Sequence, residues 1–107
     1  MENIKKAQVL KVKECIDYKE GGINKLVFVL EENMKMIAMA LDKDQKIAPH
    51  TAPGDALLFC LEGSGVIGIA DETFEIKENE QIVLPKEILH SVEAKEKLKV
   101  LVVMMKA

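Results

Sequence analysis

The apolar residues of this chain recur with period two almost from end to end, the spacing that sends alternate side chains to opposite faces of a β-strand. The run at 24–31, Asn-Lys-Leu-Val-Phe-Val-Leu-Glu, is short and rich in β-branched and aromatic residues. Another follows at 34–41, with Glu32-Asn33 supplying turn chemistry between the two. Further runs fall at 56–61, 66–70, 73–76, 81–84, 90–93 and 98–105. The breaks carry Gly21-Gly22, Pro49, Pro53-Gly54, Gly63-Ser64-Gly65, Asp71-Glu72 and Pro85. No segment of useful length has a helical apolar stripe bounded by caps. Many short strands at close, even spacing with turn signals between them predict an all-β sandwich or barrel.

With 107 residues, 49% of them apolar, the chain has material for one domain and one core. A net charge of −3, with no Lys/Arg block clear of acidic neighbours, argues against a nucleic-acid or anionic-membrane surface. The lysines and glutamates of 93–99 read as a solvated face. No apolar run approaches the ~20 residues of a membrane helix. Residues 1–13 are charged throughout and lack a signal peptide's apolar stretch. Two cysteines, Cys15 and Cys60, make no disulfide framework, so a reducing, cytoplasmic setting is expected.

The chain's only histidines, His50 and His90, stand in two distinctive segments. The first is His-Thr-Ala-Pro-Gly-Asp-Ala-Leu-Leu-Phe-Cys-Leu-Glu-Gly at 50–63, and the second is Pro-Lys-Glu-Ile-Leu-His at 85–90. Together they resemble the two signature motifs of the cupins, Gly-x5-His-x-His-x3-4-Glu-x6-Gly and Gly-x5-Pro-x-Gly-x2-His-x3-Asn. His50, Gly63, Pro85 and His90 match, whereas Asp44, Ala52, Ala56, Asn79, Glu87 and Ala94 depart from the pattern. The resemblance covers roughly 44–105 and is nearer to small stand-alone bacterial cupins with His-Thr-Ala-Pro-x-Asp-Ala in this place. Gly63 to Gly65 looks like that family's turn between central strands. Asn79 stands where a left-handed glycine usually opens the second motif, and Asn is the best non-glycine substitute there.

The resemblance implies a cupin-type double-stranded β-helix, a jelly-roll barrel of two antiparallel sheets, as a single domain over 1–107. N-terminal strands within 1–43 would extend a sheet edge. The first motif would occupy about 44–63, the second about 79–94 and the final strand 97–105. It also implies that His50 and His90 meet inside the barrel. If His50 points inward, alternation brings Ala52, Ala56, Leu58 and Cys60 with it, together with Val92 and, from the last strand, Leu98, Val100, Val102 and Met104. The expected interior is an apolar cavity whose polar end is made of two imidazoles, with Cys60 either adding its thiol there or serving as plain core filling.

Members of this family usually hold a divalent metal on three histidines and a glutamate, and here Ala52 and Ala56 replace two of those ligands. No tight metal is therefore expected; one bound at all would sit on His50 and His90, with Cys60 or Asp55 as further donors to test. Asp55 falls on the opposite strand face from Ala56. The methionines at 34, 36, 39, 104 and 105 read as deformable core packing. Three functions stay open. One is a binding module that positions a small, largely apolar ligand with His50, His90, Leu58, Cys60 and Met104. The second is an enzyme, either a dioxygenase-like metalloenzyme with a reduced ligand set or a metal-free isomerase with a histidine base and Tyr18 as acid. The third is a chiefly structural protein with a collapsed cavity. The catalytic residues of any reaction are unassigned. The final strand is apolar on both faces, as is the run at 26–30, which predicts a homodimer unless residues 1–18 fold over their own barrel.

Overall fold

The computed structural model describes residues 3–106, so the first two residues and the last of the expected domain lie outside the described residues. Nine strands follow an irregular arm: β1 Ile23–Leu30, β2 Met34–Leu41, β3 Lys46–His50, β4 Asp55–Glu62, β5 Ser64–Ile69, β6 Glu72–Lys77, β7 Gln81–Leu84, β8 His90–Ala94 and β9 Leu98–Met105. They form two antiparallel sheets, one ordered β1-β2-β9-β4-β7 and the other β3-β8-β5-β6. This is the expected all-β jelly roll. Only β3 lies outside the strand runs of the sequence. Its Pro49 cannot donate to a ladder, which masks it as a break; the strand survives because it is a sheet edge and carries a bulge there.

The interior is laid out in cross-strand rows. Lys35, Met104, Ala56 and Leu84 stand side by side across β2, β9, β4 and β7. Ile37, Val102, Leu58 and Ile82 form the next row, and Met39, Val100 and Cys60 continue it, with Lys25 of β1 beside Met39. The second sheet closes over them with Ile67, Ile76, Val92 and Ala94, all buried. Turns at motif positions where glycine is usual keep left-handed backbone without it: Asp44 at φ 69°, Asn79 at 69° and Glu87 at 58°. Gly63, at φ 84°, is held to glycine, because a Cβ there would strike the Lys97 carbonyl.

In the N-terminal region, β1 and β2 form one edge of the five-stranded sheet. Strands occupy only 23–41 of the stretch 1–43; residues 3–22 contain a 3₁₀ turn at Val12–Glu14 and no strand. Instead, this arm lies across the outer face of the five-stranded sheet. Ile16 is buried with Phe28, Val29, Ala38 and Ala40, and Ile4, Val12 and Tyr18 pack around them. Lys99 reaches the same cover and donates from Nζ to the Lys13 carbonyl at 2.6 Å. A bulge between Val27 and Val29 lets Phe28 and Val29 enter this one cluster, so β1 departs from strict alternation. Ile16→Ala should cost about 2–4 kcal/mol in denaturant unfolding, the range for emptying a buried aliphatic site. Val9→Ala, at an exposed position of the same arm, should stay within roughly 0.5 kcal/mol.

Candidate functional site

His50 and His90 are direct cross-strand partners of β3 and β8. Alternation from Ile47, which packs on the core, would by itself put His50 on the outer face. The bulge between Ile47 and His50 adds the missing residue and turns His50 inward. The two rings meet edge to face, with centroids 4.3 Å apart and planes at 68°. His90 is buried, at 5% exposure, and His50 stands open at the mouth. Two contacts lock the surrounding motif loops together. The Glu87 N–H donates to the Ala52 carbonyl at 2.9 Å, and the Lys86 N–H donates to Asp55 Oδ1 at 2.8 Å.

Hydrogen bonding fixes the protonation pattern of the pair. His50 Nδ1 lies 3.1 Å from the Ala48 carbonyl and His90 Nδ1 lies 3.3 Å from the Ile88 carbonyl. A carbonyl only accepts, so each Nδ1 carries the hydrogen and each Nε2 is left as an acceptor when its ring is neutral. These two Nε2 atoms face one another at 3.2 Å. The pair is satisfied by one shared proton or by a donor from a third group. Burial foremost, and then the charge of His50, hold the His90 imidazole below its ordinary value of 6.5, against the smaller opposing pull of the Ile88 carbonyl. His90 is therefore held toward its neutral form.

The imidazoles stand at one side of a cavity of about 270 Å³ between the sheets. Its walls include Ile37, Met39, Ile47, Leu58, Val92 and Met104, and Ala52 and Ala56 also line it. The structure thus brings together four of the five residues expected to surround a ligand: His50, His90, Leu58 and Met104. Cys60 is the exception. It is fully buried one row beyond Leu58, outside the lining, and its Sγ points to the carbonyls of Glu62 and Gly63 at 3.5 and 3.6 Å. Burial pushes that thiol's pKa up, so it stays protonated and packs as core. Tyr18 is also elsewhere, donating to Glu62 Oε2 at 2.6 Å beside Lys97 and Lys99. A tyrosine acid opposite a histidine base is therefore not what the fold assembles. Asp55 is exposed and committed to the Lys86 backbone. Among the described residues no group of three or more His, Cys, Asp or Glu side chains is placed to hold a metal. Among the lining residues that the sequence reading did not place in the interior are two lysines, Lys25 and Lys35. Their signal was present, since each lysine interrupts the inward-facing set of its strand.

A family model described as the AraC-like ligand binding domain matches residues 39–105. A conserved protein of unknown function from Streptococcus pyogenes superposes with a TM-score of 0.95 at 31% identity, over 99% of this chain and 93% of that one. A cupin superfamily protein from Desulfitobacterium hafniense superposes at 0.93 with 16% identity, over 99% and 97% of the two chains. A cupin 2 conserved barrel domain protein from Leptotrichia buccalis gives 0.86 at 37% identity, over 88% of this chain and 46% of that longer one. Among the curated proteins none matches this chain.

The depressed His90 value gives the site a pH signature. The unfolded chain binds this proton more readily than the folded one. Stability from His90 is thus complete above about pH 6.5 and declines as pH falls from there through the lower folded value. Thermal melts of the wild type should lose more stability across that window than those of His90→Gln. Parallel pH profiles for the two proteins would show that another group titrates there.

Proposed function

The chain belongs to the family of AraC-like ligand binding domains and has the cupin fold, and from that membership and the cavity geometry we propose that it is a small-molecule binding module. The observation that carries this reading is an apolar cavity of about 270 Å³ lined by two imidazoles whose Nε2 acceptors converge at 3.2 Å. Apolar walls supply affinity, and a small number of convergent polar groups fix orientation. A cavity of roughly 150 Å³ suffices for benzene, so a single ring with substituents suits this one. We read His-Thr-Ala-Pro-Gly-Asp-Ala at 50–56 as the mark of a bacterial subgroup of small cupins, and we place the protein in the cytoplasm, where its two free thiols suit a reducing milieu.

The donor set favours this reading over a metalloenzyme. Ala52 and Ala56 line the cavity without a donor atom, which leaves two imidazoles where a catalytic divalent metal keeps three protein ligands. The residues present do not fit such a centre. A screen of one-ring and short-chain fragments by protein-observed NMR tests the binding role. Shifts should concentrate at Ile37, Leu58, Val92 and His90 and disappear in Ala56→Phe, which fills the cavity. Shifts that persist in that variant, or that map to the outer sheet, would remove the proposal.

We also propose a homodimer through the part of the outer face that the arm leaves open. Val83, Leu57 and Val103 form one row across β7, β4 and β9, continuing into Met36 and Val29 beneath the arm. Val83 and Met105 are 52% and 63% exposed, a patch of the kind that pairing covers. Sedimentation should give twice the 11.9 kDa chain mass, and Val103→Lys should return it to one chain. A wild-type mass of one chain at micromolar concentration is the result that excludes the dimer.

A further inference from the structure

We propose that the ligand is an apolar anion, a small carboxylate with one ring or a branched chain, whose charge is met by Lys25 and Lys35. This rests on the reading that the cavity binds a small molecule and adds the class of molecule. The starting observation is the face on which these lysines sit. Lys35 is the direct cross-strand neighbour of Met104, which neighbours Ala56, and Lys25 is the direct neighbour of Met39. Met104, Ala56 and Met39 all line the cavity, and both lysines line it with them. Strand alternation therefore puts both lysines on the inner face, Lys35 half-buried and Lys25 exposed on the edge strand, in a chain whose net charge is −3.

A lysine on an edge strand can serve to discourage pairing with another sheet, and β1 is an edge. That account does not extend to Lys35. It lies on β2, hydrogen-bonded on both sides by β1 and β9, and it is half-buried. Neither lysine takes part in an ion pair among the described residues. No Asp or Glu is among the described residues that line the cavity; its ionisable members are two lysines and two histidines. A cationic ligand would meet repulsion with no compensating carboxylate. A neutral ligand would leave both ammonium groups without a counter-charge. An anion gains attraction from both lysines while its apolar part occupies the walls formed by Ile37, Leu58 and Val102.

Benzoate, benzyl alcohol and benzylamine share a ring and differ in charge, so their titrations followed by NMR shifts of cavity residues separate the possibilities. Benzoate should bind about tenfold more tightly than benzyl alcohol, with benzylamine weakest. Lys35→Met and Lys25→Met keep the chain length without the charge and should each weaken benzoate roughly fivefold while sparing benzyl alcohol. Lys35→Arg, which keeps the charge, should retain the benzoate preference and guards against an effect of altered folding. Benzyl alcohol binding in the cavity as tightly as benzoate would overturn the anion assignment and leave interior binding standing. Benzoate affinity unchanged in both Met variants would overturn it equally. Cavity shifts with none of the three probes would remove the binding reading itself.

Discussion

The final strand is apolar on both faces, and that constraint organises the molecule. Leu98, Val100, Val102 and Met104 face one side of β9 and Leu101, Val103 and Met105 the other, so water must be kept from both. The structure places β9 at the centre of the five-stranded sheet, paired along its length with β2 and β4. The second sheet then covers the inner row, and the N-terminal arm covers part of the outer one through Ile16 and its neighbours. An arm without strands thus does the work of a third layer. Lys99 fits the same scheme: on the outer face of an otherwise apolar strand, it hands its charge to the Lys13 carbonyl and the Tyr18 ring.

The same two-layer construction leaves a cavity where the facing side chains are small. Ala56 and Ala52 fill little of the space between β4, β3 and β8, and the Ile37, Leu58 and Val92 walls keep it apolar. The imidazole pair at its side is set by backbone. Each Nδ1 is tied to the carbonyl two residues earlier, so the two rings present acceptors to one another and to whatever enters. Such a pair accepts readily and donates only when it holds a proton. Lys25 and Lys35 add donors that cannot accept, which gives the cavity an electrostatic preference that its apolar lining alone would lack.

The Glu87 position shows how the site and the fold constrain each other. Its backbone is left-handed at φ 58°, an arrangement that costs an L-residue roughly 1–2 kcal/mol. It also donates its N–H to the Ala52 carbonyl. Beside it, Lys86 donates to Asp55. These bonds join the loop before β4 to the loop before β8 and so hold His50 and His90 in register across the sheet. The turn retains its shape without glycine because the hydrogen bonds it makes define it from both sides.

Much of this was legible in the residues themselves. Period-two alternation and the turn residues determined the all-β architecture and eight of the nine strands, because side-chain direction in a strand alternates with chain geometry; which face is the inner one, with Ala56, Leu58, Val100 and Met104, came from the resemblance. The motif spacing implied that His50 and His90 would meet. Other features were decided only in three dimensions. Pro49 hid β3, and the bulge that turns His50 inward depends on pairing with β8, which no local pattern encodes. Alternation placed Cys60 on the correct face but could not say that the opposing sheet closes over it one row beyond the cavity. The path of the arm, and with it Tyr18 at Glu62 rather than at the histidines, follows from contacts 44 residues apart in the chain. Periodicity fixes which face a side chain takes; what it meets there depends on the neighbouring layer, and only the assembled sheets supply that.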